Sequence, residues 1–129
     1  MTSGAQPEVQ PRPQKRILSA GHNPALLRVR NSLIETAGYL VVTTRESELL
    51  LDLLARQQFD AVVLCSSIPA RIQENIARQM RASNIKTPLI IICSQHDQER
   101  LRGLASEIVL AEHGVSQPLV EAISKVAGE

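Results

Sequence analysis

Five short apolar runs punctuate the chain from Lys15 onward: Ile17-Leu18-Ser19-Ala20, Leu40-Val41-Val42-Thr43, Ala61-Val62-Val63-Leu64-Cys65, Leu89-Ile90-Ile91-Ile92-Cys93 and Ile108-Val109-Leu110. None alternates with polar residues. Strands that read this way are covered on both faces, as in a parallel sheet. The segments between them repeat apolar residues at helical spacing. Asn23 caps the first, with Pro24 at its first position; Leu26, Leu27, Leu33, Ile34 and Ala37 share a face, and Gly38 ends it. A second helix is predicted from Thr44, with Leu49, Leu50, Leu53 and Leu54 inward. A third follows Pro69 and carries Ile72, Ile76, Ala77 and Met80. The fourth, Asp97 to Leu104, is short and weakened by Gly103, and the fifth starts at Ser116 with Leu119, Val120, Ile123 and Val126 inward. Each gap between strands holds a strand plus one crossover helix. Right-handed crossovers then give an α/β fold, a three-layer α/β/α sandwich around a five-stranded parallel sheet.

Residues 1–14, MTSGAQPEVQPRPQ, break the pattern: they hold three prolines, three glutamines and little that is apolar. Such a segment buries too little surface to offset its ordering, so a flexible tail is expected ahead of one domain over 15–129. The 129 residues are 43% apolar and 21% charged, ordinary for a globular chain, and the formal net charge is +1. A protein built to neutralise nucleic-acid phosphates would show a basic excess. Tyr39 and Phe59 are the only aromatics, which leaves almost nothing to stack bases on. The longest apolar runs fall far short of the ~20 residues of a membrane span. A leaderless chain with two cysteines reads as a cytoplasmic protein with reduced thiols.

In doubly wound sheets the functional crevice lies beyond the carboxyl ends of the strands. That rule selects Gly21 and His22, Thr44, Cys65 to Ser67, Cys93 to His96, and Ala111 to His113. Adjacent strands lie ~4.8 Å apart, so an order that makes strands three and four neighbours puts Cys65 and Cys93 within disulfide reach. With His22 and His113 on loops at the same edge, and His96 nearby, the two thiols form a candidate zinc or redox set. Against this, no Cys-x-x-Cys spacing is present, and small buried hydrophobes are the plainer role for both cysteines. Catalysis by Cys65 with His22 or His96 lacks an evident oxyanion donor, so no enzyme activity is expected. The turn Ser19 to Pro24 has one glycine where a dinucleotide fingerprint has three. Arg71, Arg78 and Arg81 share a helix face with Glu74, which reads first as solvated surface.

Several of these segments resemble response-regulator receiver domains. Ile17 to Leu27 is similar to the family's first strand, acidic loop and first helix. Ala37-Gly38-Tyr39 resembles the turn before strand two, and Phe59 to Leu64 with Ile68-Pro69 resembles the surroundings of the phosphoacceptor. Thr87 to Ile92 resembles the fourth strand. The resemblance spans roughly residues 15 to 127. It implies a flavodoxin-like sheet of order 2-1-3-4-5 and a role in two-component, phosphorelay-type signal transduction.

The chemistry departs from that family at every position. Gly21 and His22 stand at the acidic pair, Cys65 at the phosphoacceptor aspartate, Cys93 at the hydroxyl residue and Ala111 where a lysine is expected, followed by Glu112-His113. Val109 falls at the aromatic switch. Mg²⁺ is held by carboxylate oxygens, which Gly21 and His22 do not provide, and a thiol forms no aspartyl phosphate. The expectation is therefore a degenerate pseudo-receiver, with no cofactor, that acts by phosphorylation-independent protein–protein interaction. Two alternatives are the Cys/His sensor on the same fold and a receiver phosphorylated at a shifted carboxylate, with Asp60 nearest. By resemblance, helix four, strand five and helix five form the surface for a signalling partner or a homodimer, where Arg100, Arg102 and Glu107 supply charge. No nucleic-acid or membrane partner is expected.

Overall fold

The computed structural model describes residues 14–128. The Pro/Gln-rich tail lies outside them except for Gln14, whose side-chain amide donates to the Gly38 carbonyl at 3.0 Å. The strands are β1 (Arg16–Ala20), β2 (Leu40–Thr44), β3 (Ala61–Leu64), β4 (Leu89–Cys93) and β5 (Glu107–Leu110). The helices are α1 (Pro24–Thr36), α2 (Leu50–Arg56), α3 (Ala70–Ala82), α4 (Gln98–Leu101) and α5 (Ser116–Ala127). All strand pairs are parallel and the sheet order is β2-β1-β3-β4-β5.

Strand residues alternate between two cores, one on each face of the sheet. Leu18, Val62, Leu64, Leu89, Ile91 and Cys93 face a core closed by Leu50 of α2, Ile76, Ala77 and Met80 of α3, and Leu101 of α4. Ile17, Ala61, Val63, Ile90, Ile92 and Val109 face the other, closed by Ile34 of α1 and Leu119, Ala122 and Ile123 of α5. Continuous apolar strands are thus explained by burial from both sides.

Local chemistry sets the helix ends. Asn23 Oδ1 accepts from the Leu26 amide at 3.0 Å and caps α1 as expected, with Pro24 in the first turn. Two helices differ from the sequence expectation. Thr44 does not start α2: it ends β2 opposite Ala20, and its hydroxyl accepts from the Glu46 amide at 3.1 Å. A 3₁₀ turn over Ser47–Leu49 follows, and α2 begins only at Leu50. The predicted fourth helix shrinks to one turn, because Gly103 takes φ +86° two residues beyond Leu101. Ala37, placed on the inner face of α1, is its exposed C-cap residue.

Candidate functional site

The carboxyl ends of β1 and β3 come together at Gly21 and Cys65. The Cys65 amide donates to the Ala20 carbonyl at 2.8 Å, extending the β1–β3 ladder by one bond. A Cβ built on Gly21 would lie 2.9 Å from Cys65 Cβ, 3.1 Å from Leu27 Cδ1 and 3.2 Å from Ser67 Oγ. Gly21 is not among the glycines with positive φ, so it is there for space, not for backbone freedom. Ser67 fixes the next loop: its hydroxyl oxygen accepts from the His22 amide at 2.9 Å and the Asn23 amide at 3.1 Å. The His22 side chain is exposed.

Two polar residues that the sequence reading passed over complete the site. Arg30 of α1 is only 8% exposed, and its Nη1 donates to Cys65 Sγ at 3.1 Å and to Ser66 Oγ at 3.4 Å. Gln73 of α3 is 1% exposed, and its Nε2 donates to the carbonyls of Cys65 at 3.1 Å and Ile92 at 3.0 Å. Gln73 thereby ties the ends of β3 and β4 together beneath the cleft. The signal for both was present: Leu27, Arg30 and Ile34, and likewise Gln73, Ile76, Ala77 and Met80, are spaced as one buried stripe. A polar residue inside such a stripe must find a partner indoors.

The two thiols are not neighbours. Leu64 pairs with Ile91, so Cys65 and Cys93 are one residue out of register across β3 and β4. A one-residue offset reverses the face. Cys65 accordingly meets Arg30 on the α1 side, while Cys93 packs in the core of α2, α3 and α4. Both cysteines are free and buried, and the expected disulfide geometry does not arise. Cys93 opens onto a cleft of ≈300 Å³ bordered by Ser66, Ala111, Asp97 and Glu112. Glu112 accepts from the Gln95 amide at 3.0 and 3.1 Å, and Asp97 accepts from the Ser94 hydroxyl at 3.1 Å. Burial, reinforced by the charges of Asp97 and Glu112, pushes the Cys93 thiol up. The native state therefore holds this proton more tightly than the unfolded chain. Stability is expected to fall as pH rises above the ordinary thiol range of about 8.5. Cys93→Ala, followed by urea unfolding from neutral to alkaline pH, should flatten that decline.

Other expected site residues scatter. His22, His96 and His113 are exposed on three different loops, and Ala111 is half-buried at the start of a 3₁₀ turn after β5. Among the described residues no group of three or more His, Cys, Asp or Glu side chains is placed to hold a metal ion, so His22, Cys65, Cys93 and His113 are not brought together. Mg²⁺ also does not suit the cleft end of β1, where Gly21, His22 and Cys65 offer no carboxylate and the Arg30 guanidinium already supplies a positive charge. Asp60 lies at the opposite edge of the sheet, its carboxylate accepting from the Arg16 amide at 2.7 Å. Val109 faces α5; the residue beside Cys93 is Leu110. Arg100 binds Glu74 at 2.7 Å, Arg102 binds Glu99 at 2.7 Å and Glu107 binds Lys125 at 3.1 Å, so all three expected interface charges sit in internal surface pairs. Arg100 and Arg78 hold the Glu74 carboxyl below its usual range. No helix among the described residues is long and apolar enough to cross a membrane.

The sequence matches no family model and no curated protein. Solved structures do match. The receiver domain of a sensor histidine kinase from Pseudomonas aeruginosa, with a magnesium ion coordinated in its active-site cleft, is 20% identical with a TM-score of 0.77, covering 91% of this chain and 100% of that one. The response regulator TrrA from Thermotoga maritima, in complex with Mg²⁺-BeF, is 22% identical with a TM-score of 0.77, covering 88% of this chain and 99% of that one. A receiver domain from Clostridium thermocellum is 20% identical with the same TM-score, covering 88% and 94%. With its strand order and its five helices, this chain has the fold of the response-regulator receiver domains.

Proposed function

We propose that this domain is a pseudo-receiver: a cytoplasmic binding module of two-component-type signalling, not an enzyme, that engages a protein partner without aspartyl phosphorylation. The observation that carries this reading is the Arg30–Cys65 contact of 3.1 Å. A thiol that accepts from a guanidinium stands where the receiver resemblance expects the phosphoacceptor carboxylate. Aspartyl phosphorylation needs an oxygen nucleophile and a divalent ion to neutralise the incoming phosphoryl group. Neither residue supplies them, and the carboxylates of Asp97 and Glu112 lie toward Cys93 instead. A scaffold kept without its chemistry retains its surfaces as the means of communication. A second copy of the chain is the other candidate partner, and light scattering across concentration separates the two.

Incubation with Mg²⁺ and acetyl phosphate is expected to leave the intact mass unchanged, and Mg²⁺ with beryllofluoride is expected to leave Tm unchanged. A hydroxylamine-labile phosphate adduct would overturn the proposal.

A further inference from the structure

The face formed by α3, α4 and the adjoining Arg102 has a basic excess. It carries Arg71, Arg78, Arg81, Arg100 and Arg102 against Glu74 and Glu99, in a chain whose net charge is +1. At its centre a cleft of ≈390 Å³ is lined by Arg71, Ile72, Glu74, Asn75, Arg78 and Arg100. The cleft already shows how it treats a carboxylate. Glu74 Oε2 accepts from Arg78 Nε at 3.1 Å and Nη2 at 3.0 Å, and Glu74 Oε1 accepts from Arg100 Nε at 2.7 Å. One internal carboxylate thus orients two guanidinium groups and leaves a positive charge over. Arg100 spends only Nε on it, so both of its terminal nitrogens remain to donate. Arg71 is exposed and has no ion-pair partner among the described residues. Half-buried Ile72 adds an apolar edge to the cleft.

We propose that the α3–α4 face docks an acidic polypeptide segment of a partner protein, with its carboxylates taken by Arg71, Arg78 and Arg100 and an apolar residue set against Ile72. This rests on the reading of the domain as a binding module and names the kind of partner. Guanidinium forks match carboxylates geometrically, and partly oriented ones lose less freedom on binding. Nucleic acid fits less well. Base stacking needs aromatic faces, yet Phe59 is buried and Tyr39 packs against the α1–α5 core.

The test uses the full chain and three labelled probes followed by fluorescence anisotropy: an acidic peptide of Asp, Glu and Leu, its Lys-substituted counterpart, and oligo-dT. The acidic peptide alone is expected to bind, more weakly as salt rises. Combining Arg71→Glu, Arg78→Glu and Arg100→Glu should weaken binding by about 100-fold at low ionic strength, whereas Lys15→Glu, Arg28→Glu and Arg45→Glu together should change it less than about threefold. Glu74→Gln frees both clamped arginines and should tighten binding several-fold, a change that mere structural damage would not produce. Absence of saturable peptide binding, equal loss in both triple variants, or preference for oligo-dT would each overturn the proposal. The acetyl phosphate assay is read independently. An adduct with peptide binding intact removes only phosphorylation independence, and no adduct with no peptide binding removes only this surface.

Discussion

Gly21→Asp is expected to lower the stability of the domain by about 3 kcal/mol, although it restores one member of the receiver family's acidic pair. The cause is the approach of β1 to β3. Any Cβ at position 21 meets Cys65 Cβ at 2.9 Å, and that atom is fixed to the backbone and cannot swing aside. Leu27 Cδ1 and Ser67 Oγ close the remaining directions at 3.1 and 3.2 Å. Relief requires the strand ends to separate, which strains the Cys65–Ala20 bond of 2.8 Å and the Ser67 contacts that shape the start of α1. His22→Asp is the matched control. Its side chain is exposed at the start of a helix, so the change should stay within about 0.5 kcal/mol. Urea unfolding of the two variants side by side measures the difference. Equal stability of Gly21→Asp and the wild type would mean that the strand ends are not packed as described.

Gln73→Leu is the second large effect, a loss of about 2 kcal/mol at nearly constant volume. The amide donates to two carbonyls on neighbouring strands, at 3.1 and 3.0 Å, from a position that is 1% exposed. Leucine fills the space and leaves both contacts unmade. The Cys65 carbonyl keeps one partner, the Ile68 amide at 3.0 Å, which is why the cost stays near the middle of the range for buried acceptors. Hydrogen exchange should localise the damage. Amides at the ends of β3 and β4 are expected to exchange faster, while those of β2 stay protected.

The architecture was legible because burial on both faces writes itself into the strands as unbroken runs of Val, Ile and Leu. Even β1 began at Arg16, a charged residue, because its backbone pairs with Leu40 and Asp60 while its guanidinium lies 4.8 Å over the Phe59 ring. The failures were local. Thr44 can open a helix or close a strand, and strand pairing decided; Gly103 cut α4 shorter than its apolar pattern suggested. The placement of the candidate site at the strand ends was legible too: Gly21 and His22, Cys65 and Ala111 follow β1, β3 and β5, and Cys93 is the last residue of β4. Its chemistry was not. Arg30 and Gln73 acquire meaning only when α1 and α3 are laid on the sheet, and the faces of the thiols depend on a β3–β4 register that no single strand encodes.

That register carries a practical corollary for handling the protein. With the whole thickness of the β-layer between its sulfurs, a folded monomer has no route to an internal cross-link. Any oxidised species on a non-reducing gel must therefore join separate molecules or come from chains that have opened. Oxidative dimer formation thus becomes a gauge of unfolding.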